Sequence, residues 1–335
     1  MNKVVAFLNA NPVQYLATVG RDGKAKCRPF MFAGELDGKL WFCTNNQKEV
    51  YKDLQASQGI PVGLVPVAAV SGKEPCMNQS ERRRMLIQSL LKEDPAYRDI
   101  RIPADTDGQR QLLRGLLNVR APQPGREDFL QVQDAYLQQR AAEKGITDAA
   151  ALAPIQPGLY LWQGDITTLR CDAIVNAANS GMTGCYCPNH RCIDNAIHTF
   201  AGVQLRQACA ELMRAQGREE PTGQAKITPA FNLPCRFVLH TVGPIVTGRV
   251  TRQDRALLAS CYRSCLQLAA NHGLESVAFC CISTGEFHFP NELAAEIAVH
   301  TIKEFLVQDT SVRKVIFNVF KDLDYEIYRR LLGAG

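Results

Sequence analysis

The sequence lacks the features that would put a chain across a membrane or outside the cell. No apolar run approaches the ~20 residues that a helix needs to cross a bilayer. The opening segment, MNKVVAFLNANPVQYLATVG, has an apolar stretch broken by Asn and Pro. It shows neither the h-region nor the small-residue cleavage pattern of a secretory signal. Dense Lys/Arg runs are missing too. A net charge of +5, from 38 Lys and Arg against 33 Asp and Glu, is spread over 335 residues, and so weak a basic bias does not support nucleic-acid binding. Internal repeats and low-complexity tracts are absent. The 13 cysteines do not read as a disulfide set, because their number is odd. Several also sit inside apolar runs, such as Cys280 and Cys281 in SVAFCCI and Cys261 and Cys265 in a helical stretch. Reduced thiols in a soluble, cytoplasmic protein with neither a nucleic-acid nor a membrane partner are the expectation.

What is present divides the chain into three zones. The length exceeds one ordinary domain and suits two. Residues 1–70 read as short strands (QYLATVG, KCRPFMFAGEL, KLWFCTN) joined by hairpin turns at Asp22-Gly23 and Asp37-Gly38. Residues 71–150 form a polar junction followed by three amphipathic helix patterns: RRRMLIQSLLKE, GQRQLLRGLLNV and EDFLQVQDAYLQQRAAEKG. Ser80 is expected as the N-cap of the first. Residues 151–335 alternate strands (GLYLWQ, DAIVNAA, RFVLHTV, ESVAFCCI, RKVIFNVF) with helices, one of them a single long run from CIDNAIH to ELMRAQ. Near-continuous apolar strands between amphipathic helices predict an α/β fold. Its sheet should be mostly parallel or mixed, covered on both faces, with ligands bound beyond the strand C-termini.

The densest chemistry lies in GMTGCYCPNHRCIDNAIH, residues 181–198. Cys185, Cys187, His190 and Cys192 crowd into one short loop. Zinc prefers thiolate and imidazole ligands, and three protein ligands with one open position make a catalytic arrangement, whereas a fourth closes it into a structural one. A loop of free thiols is the plainer alternative.

The run GDITTLRCDAIVNAANSGMTGCYCPNHRCIDNAIHTFAGVQLRQAC resembles a macrodomain, the ADP-ribose-binding fold, and its loop resembles that of the zinc-dependent subgroup. The match runs from Gly184 to Asp194, within a resemblance covering roughly residues 77–335. It implies a three-layer α/β/α domain with a mixed central sheet and an N-terminal helical extension. It also implies Zn²⁺ held by Cys185, His190 and Cys192, with Cys187 at a variable position.

Further roles follow from the same resemblance. Asp165, with Ile166 beside it, matches the acidic residue that accepts a hydrogen bond from the adenine amino group; the alternative for this carboxylate is a turn cap. Asn176 and Asn179 match residues near the distal ribose. Ser283, Thr284, Gly285, Glu286 and Phe287 match the loop that wraps the diphosphate, with Phe287 covering the distal ribose. Phe320 matches an aromatic that packs on adenine, or is a core residue at a strand end. Asn179 and Asp194 are the catalytic candidates; Asp194 could equally be a first-turn acid on a helix dipole. His198 reads as a satisfied packing histidine. The implied activity is hydrolysis of mono-ADP-ribose from a modified protein, a lipoyl carrier related to the glycine-cleavage H protein by family analogy.

Residues 1–60 resemble part of the pyridoxamine 5'-phosphate oxidase-like split barrel, a partial β segment preceding the α/β domain. Arg28, Thr44 and Lys48 stand at positions that contact the FMN phosphate in that family. Only about half of such a barrel is present, so a module without FMN is favoured over a flavin site. Two other functions compete with the hydrolase: a non-enzymatic ADP-ribose reader, which needs no metal, and a flavin-linked oxidoreductase acting through the N-terminal segment.

Overall fold

Six strands from the second half of the chain pair into one sheet, which decides where every candidate residue sits. In the computed structural model, the structure describes the backbone of residues 13–19, 25–36 and 39–43, and residues 77–308 and 310–333. Two compact units divide the chain, Met1–Asn78 and Gln79–Gly335, so the helical segment belongs with the α/β domain.

In the first unit, β1 (Val13–Val19), β2 (Ala25–Leu36) and β3 (Lys39–Cys43) form an antiparallel sheet in the order β1-β2-β3. A register shift between Phe32 and Gly34 marks a bulge in β2. Arg28 stands in β2 opposite Leu16. Thr44, Lys48 and the expected hairpin turns lie outside the described residues.

The second unit opens with three helices: α1 (Gln79–Glu93), α2 (Thr106–Val119) and α3 (Glu127–Lys144). Ser80 is not the N-cap of α1. The helix already includes Gln79, and the Ser80 hydroxyl accepts a bond from Arg83 Nη2 at 3.1 Å. Leu86, Ile87, Leu113, Leu116, Phe129 and Leu137 bury together, with Val203 from the α/β domain completing their cluster. That shared cluster docks the helical extension onto the domain.

The main sheet has the order β5-β11-β10-β7-β9-β8. Its strands are β5 (Leu159–Gln163), β7 (Ala173–Ala178), β8 (Ala225–Pro229), β9 (Phe237–Val242), β10 (Ser276–Phe279) and β11 (Lys314–Val319). All neighbours are parallel except β8, which runs antiparallel to β9. A small parallel ladder, β4 (Thr147–Asp148) with β6 (Leu169–Arg170), lies apart from it. β8 carries no clear apolar pattern because it is an edge strand, partly exposed and ended by Pro229, which has no N–H for a further partner. Helices α4 (Ile193–Ala201), α5 (Val203–Gln216), α6 (Arg252–Asn271), α7 (Asn291–Leu306) and α8 (Asp322–Leu331) fill the outer layers. Covered on both faces, β7 and β11 are buried almost end to end, which explains their unbroken apolar runs. Among the described residues no helix is long and apolar enough to cross a membrane. All ten described cysteines are free.

The helix expected from Cys192 to Gln216 is two. Gly202 breaks it at φ 97° and ψ 174°, a conformation open essentially to glycine alone, and a Cβ there would meet Gln133 Nε2 at 2.6 Å. Gln133 then supplies what the new helix start lacks: its Oε1 accepts from the Val203 N–H at 3.0 Å. Gly202→Ala should therefore destabilise this domain by about 1–3 kcal/mol, read as a lowered urea midpoint. An unchanged midpoint would mean that the break is not held by this contact.

Candidate active site at the strand C-termini

The candidate residues come from four points of the chain and gather along one edge of the sheet. Asp165 follows β5, Phe320 follows β11, the 280–290 loop follows β10 and the 179–192 loop follows β7. Those strands are consecutive in the sheet, so the residues line up in that spatial order. From β5 to β7 the line spans three strand spacings, about 14 Å. Four of the five non-glycine residues with positive φ among the described residues fall in its two loops: Met182, Asn189, Ser283 and His288. Such strain is concentrated where the fold imposes a loop shape.

At the β5 end Asp165 is a cap and more. Its Oδ1 accepts from Thr167 N at 3.0 Å and Thr167 Oγ1 at 2.6 Å, while Oδ2 accepts from Lys144 Nζ at 2.7 Å. Burial alone would raise the Asp165 pKa, but Lys144 and Thr167 outweigh it and hold the carboxyl below its usual range. Lys144 is a residue that sequence reasoning missed: it comes from the last turn of α3, and its ammonium sits 3.3 Å above the Phe200 ring. Ile166 is buried, at 2% exposure. Phe320 is 77% exposed, so it is not a core residue and its ring is open to stacking.

The loop after β10 folds back on itself. Phe289 N donates to Ser283 O at 2.9 Å, His288 N to Gly285 O at 3.0 Å, and Val246 N to Phe287 O at 2.9 Å. Ser283 is buried, while Thr284 turns its hydroxyl onto Cys281 O at 3.0 Å. The N–H groups of Gly285, Glu286 and Phe287 find no acceptor among the described residues. Three successive unpaired amides are donors of the kind that bind anions.

At the β7 end, Cys185, His190 and Cys192 converge, their ligand atoms all within 4.8 Å of one another. Cys187 stands outside the group and is exposed. Tetrahedral zinc with Zn–S about 2.3 Å and Zn–N about 2.0–2.1 Å puts sulfur and nitrogen ~3.6 Å apart. Cys185 Sγ and His190 Nδ1 are 3.6 Å apart. His190 Nε2 lies 3.5 Å from Glu286 Oε1, so a carboxylate backs the nitrogen that points away from the cluster, as in metal-bound histidines. Glu286 thus bridges the two loops, a role beyond the diphosphate contact expected of it. Burial and the adjacent Cys185 raise the Cys192 pKa against the Asn195 N–H that lowers it; a cation between the sulfurs reverses that balance. The donor set fits a zinc ion.

The loop is shaped from outside. Asn179 Nδ2 donates to Gly184 O at 3.1 Å. Gly184 has φ 88°, and a Cβ there would meet the His198 ring at 2.9 Å. From α2, Arg114 Nη2 donates to His190 O at 2.9 Å, and Asn118 Oδ1 accepts from Asn189 N at 3.0 Å. From α5, the buried Arg206 donates to the carbonyls of Leu117, Asn118 and Arg120 and stacks 4.3 Å from the Tyr186 ring. Arg114, Asn118 and Arg206 escaped the sequence reading because nothing local marks a helical Arg or Asn as a clamp.

Asn176 and Asp194 turn inward. Asn176 has no exposed surface and donates through Nδ2 to Asp194 Oδ1 at 2.8 Å, with His240 Nδ1 3.2 Å away. It does not reach the surface where a ribose would lie and acts by holding Asp194. Burial raises the Asp194 pKa to about 6. His198, 3.5 Å from Asp194, is packed but not satisfied: neither ring nitrogen has a hydrogen-bond partner among the described residues. His198, Cys209 and His240 also converge within 4.8 Å. They form a packed polar network rather than a metal centre. Asn176 donates to His240 Nδ1, so the proton lies on Nε2 and is donated to Thr228 Oγ1 at 2.9 Å. Both nitrogens are engaged, and the Arg206 charge opposes another cation.

A line of binding groups on one edge of a three-layer α/β/α sheet defines a ligand-binding domain of a known class, and comparison with other proteins gives its family. Residues 175–298 match the family model described as Macro domain. Over 261 residues, 77% of this chain and all of the relative, the chain is 57% identical to a protein-ADP-ribose hydrolase of Treponema medium. It is 47% identical to one of Staphylococcus aureus over 258 residues, 76% of this chain and 97% of the relative. Among solved structures, a mutant of the Oceanobacillus iheyensis macrodomain with ADP-ribose matches with 40% identity and a TM-score of 0.50, covering 55% of this chain and 96% of that one. The Trypanosoma brucei macrodomain in complex with ADP matches with 31% identity and a TM-score of 0.51, covering 67% and 96%. The chain belongs to the macrodomain family.

Burial depresses the His240 pKa to about 3 from its ordinary 6.5. The folded protein therefore binds fewer protons than the unfolded chain between those values, so this stability is full above pH 6.5 and is lost as pH falls. His198 shifts in the same direction, through burial first. Denaturation midpoints should fall between about pH 6.5 and 4.5, and His240→Gln should flatten that fall. An equally steep fall in the variant would show that burial does not depress the His240 pKa.

Proposed function

We propose that this protein is a hydrolase that binds ADP-ribose and removes it from a mono-ADP-ribosylated protein, with zinc at Cys185, His190 and Cys192. The observation that carries the reading is the convergence of these three side chains at one end of a line of binding groups, with Glu286 joining that end to the anion-binding loop. The names of its relatives agree in the coarser part. On family grounds the substrate is a lipoyl carrier protein related to the glycine-cleavage H protein.

The residues divide the work along the sheet edge. Asp165 accepts from the adenine amino group, sharing its carboxylate with Lys144, and Phe320 packs on the ring. The N–H groups of Gly285, Glu286 and Phe287 hold the diphosphate, which their backbone can do at no reorganisation cost. Asn179 shapes the loop on which the distal ribose rests, and Phe287 walls it off. Zinc bound here would supply Lewis-acid polarisation of an oxygen and a fixed positive charge. Asp194, held by Asn176 and drawn to a pKa of about 6 by burial, is placed to take or return one proton near neutral pH, with the hydrogen-bonded amide fixing which oxygen is free. The Glu286 carboxylate keeps His190 in the tautomer that presents Nδ1 to the cluster.

Intact-mass analysis of a mono-ADP-ribosylated carrier protein tests the reaction. Loss of the ADP-ribose mass should stop with a chelator and return with zinc. His190→Ala or Cys192→Ala should abolish turnover while retaining most of the ADP-ribose affinity; full activity in either variant removes the metal from the mechanism. Calorimetry should find ADP-ribose bound about 1–3 kcal/mol more weakly by Asp165→Ala. An unchanged Kd would take Asp165 out of the adenine site.

A further inference from the structure

Beside the Cys185–Cys192 loop lies a hollow that the proposed reaction does not use. It has a volume of about 460 Å³ and is walled by α2, α3, α4 and the loop itself. Four arginines line it, Arg110, Arg114, Arg140 and Arg191, with Tyr136 and Phe200 among the remaining walls; no Asp or Glu lines it. Asp165, Asn179 and residues 283–287 are not in its lining, although Phe200 in its wall carries Lys144, the partner of Asp165.

The charges facing this hollow are only partly offset: the Asp165 carboxylate favours the Arg114 cation from outside the lining, while Arg191 opposes it. Arg114 spends its hydrogen bonds on neutral acceptors, Asn195 Oδ1 and His190 O. Arg191 has no carboxylate partner among the described residues. Arg110 pairs with Asp107 and Arg140 with Glu143, each one helical turn along its own helix, and Asp107 is 83% exposed. Surface pairs of this kind hold an arginine weakly. Burial lowers the Arg114 pKa, the cost of placing a guanidinium here without a full counter-charge. Convergent guanidiniums repel one another until an anion sits between them, and their planar forks suit carboxylates in bidentate geometry.

The position says which anion. Arg191 follows His190 directly, and Arg114 bonds the His190 carbonyl, so the hollow adjoins the proposed reaction centre. Its aromatic and leucine walls suit a peptide chain better than a free ion. We propose that the hollow seats an acidic segment of the modified protein, anchoring the substrate beside its ADP-ribosylated side chain. The proposal rests on the reading of the Cys185–Cys192 loop as the reaction centre.

The test uses the full chain and a fluorescent hexaglutamate peptide, with a version carrying Gln for every Glu as control. The wild type should bind the first and not the second, and more weakly as salt rises. Arg110→Gln combined with Arg140→Gln should weaken hexaglutamate binding about tenfold or more and leave the Kd for ADP-ribose unchanged. In deribosylation of a modified protein, hexaglutamate should raise KM without altering kcat, and only in the wild type. Equal binding of the two peptides, or undiminished binding by the double variant, overturns the proposal. So does complete displacement of the peptide by inorganic phosphate at an equal concentration, which would make the hollow a site for a free anion. Absence of turnover by the wild type with hexaglutamate still bound would instead count against the hydrolase reading and leave the acidic-segment site standing.

Discussion

The loop from Asn179 to Cys192 has almost no hydrogen bonding of its own, and the rest of the site depends on its being held from outside. Within it, among the described residues, only Met182 N and His190 N find backbone acceptors. Three chemically useful side chains therefore stand on a segment that would otherwise sample many shapes. Arg206 answers much of this. Its guanidinium takes up carbonyls at the C-terminus of α2, where helix ends leave acceptors unpaired, and lies flat against Tyr186 of the loop. Arg114 and Asn118 add two further bonds from the same helix. The helical extension is thus part of the site's framework, which gives its shared core with Val203 a functional reason.

A second constraint comes from the sheet. Parallel neighbours β5, β11, β10 and β7 all end on the same side, so the loops that follow them are neighbours as well. A ligand laid along that edge meets Asp165, Phe320, the amides of residues 285–287 and the Cys/His loop in turn. The strand order decides which group meets which part of the ligand.

Behind this line the domain buries a polar network of Asn176, Asp194, His198, His240 and Thr228. Such networks are costly unless their members satisfy one another, and this one is only partly closed: Asn176 Oδ1 and both His198 nitrogens lack partners among the described residues. Asp194 is the member nearest the Cys/His loop, two residues after Cys192. Burial raises its pKa, while the Asn176 amide and the Arg206 charge pull it back down.

Part of this was readable from neighbouring residues alone. Cys185, His190 and Cys192 fall within eight positions, so their meeting is a property of one short loop. The β7, β9, β10 and β11 strands announce themselves because burial on both faces demands continuous apolar runs; β5, an edge strand, does so through LYLW although it is only partly buried. Other features depended on contacts between residues far apart in the chain. The exposed Phe320 could not be told from a core phenylalanine, and the Asp165 carboxylate is shared with Lys144, 21 residues away. Only packing against Gln133 required the break at Gly202, and only the approach of α2 to the loop made Arg206 a clamp. By itself the sequence determined the Cys/His cluster, the strands and most helices, because spacing and periodicity are local properties. The tertiary structure alone decided which side chains those groups lean on, because partners distant in sequence meet only when the layers close around the sheet.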